Sequence, residues 1–173
     1  MPVTRLNHAV LYVRDVARSE RFYSDVLGFT KVMGLPGAAF LQASGSSNDH
    51  DLGLFQIGPA AGPSGAGRTT VGLYHLAWEV DTLDELETVM ARLANADALV
   101  GASDHGTTKA LYGADPDGIE FEVSWLVPAA LITPEVRAAR VRILPLDLAL
   151  EKERYGAQTA GGIGVSWPAP VAG

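Results

Sequence analysis

"LNHAVLYV" (residues 6–13) and "LYHLAWEV" (residues 73–80) are the two stretches on which the fold turns. In the first, Leu6, His8, Val10 and Tyr12 fall on one face of an extended chain, because successive side chains of a strand point to opposite sides. The second repeats the pattern L-x-H-x-x-x-x-V, with Leu73, His75 and Val80 each standing 67 positions after Leu6, His8 and Val13. The closing apolar runs keep the same spacing, which matches Leu52 with Ile119 and Leu54 with Phe121. One such match is within reach of chance. A shared opening and a shared closing strand at one spacing predict an internal duplication.

Working outward, the two copies carry the same order of elements. Asp15 is placed to cap a helix from Val16 to Leu27, whose Val16, Phe22, Tyr23, Val26 and Leu27 form an apolar stripe, and Gly28 supplies the left-handed stop. "FTKVMGL", "AAFLQAS" and "DLGLFQIG" then read as short strands. In the second copy Thr82 and Glu85 make a capping box before the stripe Leu83, Leu86, Val89, Met90 and Leu93, and three more short strands follow. The expected fold class is therefore α+β: two tandem βαβββ modules that form a curved sheet cleft, with both first strands inside. Module one takes residues 1–58 and module two 71–126, joined by a Gly/Pro-rich linker at 59–70. Residues 127–173 form a C-terminal extension in which Thr133 caps a short helix opening at Pro134, and a Gly, Ala and Pro-rich tail from Gly156 reads as disordered or as an arm on another subunit.

Composition narrows the chemistry. The chain has 173 residues, no cysteine and a formal net charge of -7. Thiolate metal sites and disulfides are excluded, so a metal must be held by His, Asp or Glu, which points to iron, manganese, nickel or zinc. The negative balance disfavours nucleic acid, and a small molecule is the better partner. No apolar run approaches the roughly 18 residues that span a bilayer, and the start lacks a signal core, so the expectation is a cytoplasmic protein without a membrane partner.

Four histidines are present: His8, His50, His75 and His105. Taken singly, a strand histidine is a hydrogen-bonded core residue, and His50 and His105 are loop residues beside Asp or Gly. The duplication changes the reading of His8 and His75, because equivalent positions in two modules related by a pseudo-twofold supply two ligands without coincidence. Glu120 and Glu122 alternate with Ile119, Phe121 and Val123 on the last strand, and an acidic face there calls for solvent or a cation. Two histidines and one carboxylate leave open positions, the arrangement of non-haem Fe(II) oxygen chemistry. At the 67-residue spacing Phe55 stands opposite Glu122, which predicts no fourth protein ligand.

These motifs resemble the vicinal oxygen chelate superfamily, and within it the extradiol ring-cleaving dioxygenases of the catechol 2,3-dioxygenase type. The resemblance covers roughly residues 5 to 126 and rests on "HDLGLF", "LYHLAWEV" and "DHGTTKALYGADPDGIEFEVSW". It implies a metal held by His8, His75 and Glu122, the carboxylate seven residues after Asp115, with Glu120 the near miss. It implies His50 as the acid-base histidine, and His105 and Tyr112 as the pair contacting the substrate hydroxyls. Asp51 reads as an orienter of the His50 ring or, more simply, as an acceptor for loop backbone groups. The implied metal is Fe(II), with Mn(II) the alternative, and the partners are an aromatic diol, dioxygen and a further copy of the chain in a homo-oligomer. The rival readings are a glyoxalase-like isomerase or lyase and a non-catalytic small-molecule binding protein of the same fold.

Overall fold

The structure, a computed structural model, describes residues 2, 3, 5–67 and 69–162. Its contacts divide the chain into two units, one of Met1–Gly72 with Asp115–Ile119, the other of Leu73–Ala114 with Glu120–Gly173. The fold is mixed α+β, with one sheet in each unit.

In the first unit β1 (Ala9–Val13) is followed by α1 (Val16–Leu27), β2 (Thr30–Leu35), β3 (Ala38–Gln42) and β4 (Leu52–Gln56). The strand order is β1-β4-β3-β2, with β1 parallel to β4 and the other pairs antiparallel. A parallel pair needs a crossover rather than a hairpin, and α1 begins it. Asp15 caps the helix by accepting from the Arg18 backbone N–H, and Gly28 ends it at φ 76°. Tyr23 and Val26 of α1 join Leu11, Val13, Leu41, Leu52 and Leu54 in the core. Each such buried aliphatic contributes about 1.5–3 kcal/mol.

The second unit repeats this with β5 (Leu76–Glu79), α2 (Leu83–Asn95), β6 (Leu99–Asp104), β7 (Thr108–Ala114) and β8 (Glu120–Leu126). The Thr82–Glu85 capping box is present in both directions. β5 runs parallel to β8, and Leu83, Leu86, Val89 and Leu93 of α2 are buried while Met90 is half-buried. Beyond β8 come a 3-10 turn at Ala129–Leu131, α3 (Pro134–Ala139), β9 (Leu144–Pro145) and α4 (Leu148–Tyr155). Thr133 caps α3 as expected. β9 adds to the sheet edge, giving the order β5-β8-β7-β6-β9.

Three expectations change. First, β1 and β5 begin at Ala9 and Leu76, so His8 and His75 each occupy the residue immediately before a strand rather than its interior. Second, the 67-residue spacing holds for the opening strands but not for the closing ones. Ala9 pairs with Leu52 and Leu76 with Phe121, so Leu52 corresponds to Phe121, and the counterpart of Glu122 is Gly53 rather than Phe55. The connections between strands differ in length, and each insertion resets the register downstream. Third, the extension is more ordered than its composition implies. Asp147 caps α4 through the Leu150 N–H, Gly161 N–H donates to Asp81 O, and Gly162 N–H donates to Leu126 O. The remainder of the expected tail, 163–173, lies outside the described residues.

The turn Asp115–Ile119 is held within the first unit by charge. Asp117 accepts from the Arg14 backbone N–H at 2.8 Å, from Arg14 Nη1 at 2.9 Å and from Arg18 Nη2 at 2.5 Å. Burial works to raise its carboxyl pKa, but the Arg14 hydrogen bonds and the Arg18 charge hold it below the ordinary range. Asp115, beside it, is pushed up by burial, despite accepting from the Ile119 and Asp117 N–H groups. The two carboxylates therefore oppose each other. Asp117 stabilises the fold above an unfolded pKa of about 3.9 and loses that contribution as pH falls through its lower folded value. Asp115 contributes most when protonated, and its contribution declines as pH rises above about 3.9. Asp117→Asn is expected to cost about 1–3 kcal/mol at pH 7, with the difference from wild type shrinking below about pH 4, as read by denaturant midpoints across pH.

Candidate functional site

Parallel pairing of first and last strands has a chemical consequence in each unit. In the second, Ala77 of β5 lies opposite Glu122 of β8, and Tyr112 of β7 lies opposite Glu122 on its other side. His75, just before β5, is thereby brought to Glu122, with Nε2 and Oε2 3.3 Å apart. Both side chains are largely buried, at 24% and 14% exposed. Glu120, the alternative carboxylate two residues earlier, is exposed at the start of β8, whereas Glu122 is half-buried.

The pair fits a cation. Two ligands each about 2.0–2.2 Å from one metal at a right angle stand about 3 Å apart, close to the observed separation. The His75 Nδ1 atom is buried with no hydrogen-bond partner among the described residues, which leaves Nε2 facing the carboxylate as the ring's polar contact. Within either unit, among the described residues, no three His, Asp or Glu side chains gather as a complete cation site.

Tyr112 and His105 extend this constellation. The Tyr112 hydroxyl and His105 Nε2 are 2.9 Å apart, and the Tyr112 ring lies 6.0 Å from that of His75. Burial, then the Glu122 carboxylate and Tyr74, push the Tyr112 phenol above its usual value, so it stays protonated at neutral pH. A protonated phenol can donate to Nε2 or turn its hydroxyl and accept from Nε2–H, so the pair can accommodate either tautomer of His105. Sequence reasoning missed Tyr74, whose ring lies 4.6 Å from His75. Its one signal was adjacency to a candidate ligand.

In the first unit the same pairing brings His8 to His50, because Ala9 lies opposite Leu52. Their ring centroids are 4.5 Å apart, and Phe40 stands edge-on to His50 at 5.1 Å. His8 Nδ1 is 2.7 Å from Asn7 Oδ1, and Asn48 Nδ2 donates to Asn7 O, which ties the residues before β1 to the His50 loop. The imidazole of His50 meets Asp49, with Nδ1 2.9 Å from Oδ2, and not Asp51. Asp51 is the loop acceptor: its buried carboxylate takes the Ala43 N–H, the Ser46 hydroxyl and the Asn48 side-chain amide. Asp49, 93% exposed, meets the His50 ring on the solvent side.

The symmetry between units is topological and not chemical. Gly53 takes the place of Glu122, and Phe40, paired with Gly53 across β3 and β4, takes the place of Tyr112. A Cβ at Gly53 would touch Val10, Phe55 and Phe40 side chains at 3.4–3.7 Å, so the first unit presents an apolar surface where the second presents a carboxylate and a phenol.

The chain is similar to known proteins. Residues 5–123 match the family described as the Glyoxalase/Bleomycin resistance protein/Dioxygenase superfamily. A catechol-2,3-dioxygenase of Bacillus subtilis (strain 168) is 33% identical over 120 residues, covering 69% of this chain and 41% of that protein. Biphenyl-2,3-diol 1,2-dioxygenase 3 of Rhodococcus globerulus is 36% identical over 131 residues, covering 71% of this chain and 64% of that protein. The chain thus spans between two fifths and two thirds of the length of these relatives. Among solved structures, a glyoxylase/bleomycin resistance protein/dioxygenase domain from Frankia sp. EAN1pec superimposes with a TM-score of 0.58 at 23% identity, over 71% of this chain and 92% of that one, a likeness of fold.

Removing the Asp51 acceptor strands three donors at once. Asp51→Ala is expected to destabilise the protein by about 2–3 kcal/mol in a denaturant titration and to disturb the His50 ring resonances, while those of His105 hold their positions.

Proposed function

The chain belongs to the Glyoxalase/Bleomycin resistance protein/Dioxygenase superfamily, and from that premise we propose that it is an extradiol ring-cleaving dioxygenase acting on a catechol-type aromatic diol. The observation that carries this reading is the single set formed by His75, Glu122, Tyr112 and His105, a ligand pair beside a protonated phenol and an imidazole. His8, at the position equivalent to His75, is proposed as the third ligand. Gly53, where a second carboxylate would stand, offers no donor, so a metal held by these three keeps open positions.

Fe(II), or Mn(II) in its place, would supply at those positions the binding of an aromatic diol beside dioxygen. The chain's own residues do the rest. Tyr112, kept protonated, donates to a substrate oxygen and fixes the ring's orientation. His105 holds the phenol in place through their mutual hydrogen bond. His50, beside His8, is the general acid that gives a proton to the dioxygen-derived oxygen as the O–O bond breaks. Within the first unit Phe40, edge-on to Phe55 at 5.8 Å, also stands edge-on to His50 and gives that ring an apolar neighbour.

The test is oxygen uptake by the Fe(II)-loaded protein with catechol, substituted catechols and dihydroxybiphenyl, expected to yield a yellow ring-opened product. Glu122→Ala should abolish metal retention by elemental analysis. His50→Ala should retain the metal and lower kcat by about 10²–10⁴-fold. Bound metal with no oxygen uptake across the panel would transfer support to a glyoxalase-like isomerase, and no bound metal to a binding protein.

A further inference from the structure

We propose that the segment beyond Leu126 is a brace that sets the position of His105, with Lys109 as the positioning residue at its centre. The inference builds on the reading of His105 and Tyr112 given above. Lys109 lies on β7 with its side chain fully buried, on the opposite face from Tyr112, where it takes no part in the proposed chemistry. Its ammonium contacts Asp104 Oδ1 at 2.5 Å and Glu151 Oε2 of α4 at 2.9 Å. The Tyr155 ring, also on α4, lies 5.6 Å from the same ammonium.

Asp104 is the residue before His105, and its Oδ1 also accepts the Gly106 N–H at 2.7 Å. The carboxylate therefore spans the His105 turn, and Lys109 anchors the carboxylate. Two more elements of the extension grip that turn independently. β9 pairs Leu144 with Asp104. α3 sits so close under Gly106 that a Cβ there would stand 2.8 Å from Val136 O and 2.9 Å from Ala139. Gly106 has φ 74°, and the next residue, Thr107, accepts from the Val127 N–H. A surface helix that served stability alone has no need to send a buried carboxylate to a lysine that holds an active-site turn. Burying one cation between two carboxylates is costly unless every partner stays in place, so the network tolerates few geometries and fixes the turn.

Two variants strike the brace from different elements: Glu151→Gln, which keeps side-chain shape and removes charge, and Gly106→Ala, which forces the turn away from α3. Asp117→Asn, in the first unit, is the control for a loss of stability with no brace contact. The readout is the His105 ring resonance in a proton–carbon NMR spectrum of the full chain, with kcat and KM on the catechol panel alongside. In both variants the His105 resonance should move while those of His8 and His50 stay, and kcat should fall about 10–100-fold with KM changed by less than about twofold, the scale of a misplaced catalytic group. In a His105→Ala background Glu151→Gln should lower kcat no further. A wild-type His105 resonance in either folded variant overturns the brace, as does an equal shift in Asp117→Asn. Should Gly106→Ala not fold, the isosteric Glu151→Gln decides. If the wild-type protein cleaves no catechol, the dioxygenase reading fails and the resonances still decide the brace.

Discussion

Everything at the candidate site follows from one constraint, the parallel pairing of the first and last strand of each module. A parallel neighbour cannot be reached by a hairpin, so the chain must pass through a helix and two further strands before it returns. That detour is why residues 47 positions apart, His75 and Glu122, come to lie 3.3 Å from each other. It also puts His8 beside His50. The same backbone event, executed twice, sets a histidine just before each first strand and brings it to Glu122 on the neighbouring strand in one unit and to His50, just before that strand, in the other.

What differs between the copies is side-chain chemistry on a shared register. Glu122 and Tyr112 stand where the first unit has Gly53 and Phe40. The carboxylate is therefore supplied once, next to the phenol whose ionisation burial and the carboxylate suppress, while the other copy has a glycine and an aromatic ring at those positions. Duplication gave two equivalent histidine positions; divergence at two strand positions turned the remaining groups into unlike tools. The loop carrying His50 is correspondingly specialised. Its fold depends on Asp51, buried and saturated with hydrogen bonds, so that the next-door His50 is free to face its surroundings.

The extension beyond the second module shows a different economy. α3, β9 and α4 each reach the short turn that carries His105, through a close backbone approach, a strand pairing and a buried ion network respectively. Turns at functional positions are ordinarily among the least constrained parts of a fold. Here the constraint is imported from later in the chain.

Sequence signals alone carried the α+β class, the repeated order of elements, the N-terminal caps of α1 and α2, and the matched positions of His8 and His75. These are local or periodic signals: alternation along a strand, an apolar stripe on a helix, a capping residue, a recurrence at fixed spacing. Only the tertiary structure decided the register. A spacing of 67 measured at the opening strands is carried only as far as the first insertion, and the pairing of β4 and β8 depends on loop lengths that leave no periodic trace, so Phe55 rather than Gly53 stood opposite Glu122 on paper. Likewise Asp49 and Asp51 flank His50 equally in sequence, and hydrogen bonding to a folded loop assigns Asp51 to the backbone and Asp49 to the ring. α4 escaped notice because eight residues with few apolar positions carry no strong period; its role lies in Glu151, whose partner Lys109 is 42 residues away and meets it only when the sheet and the extension are assembled.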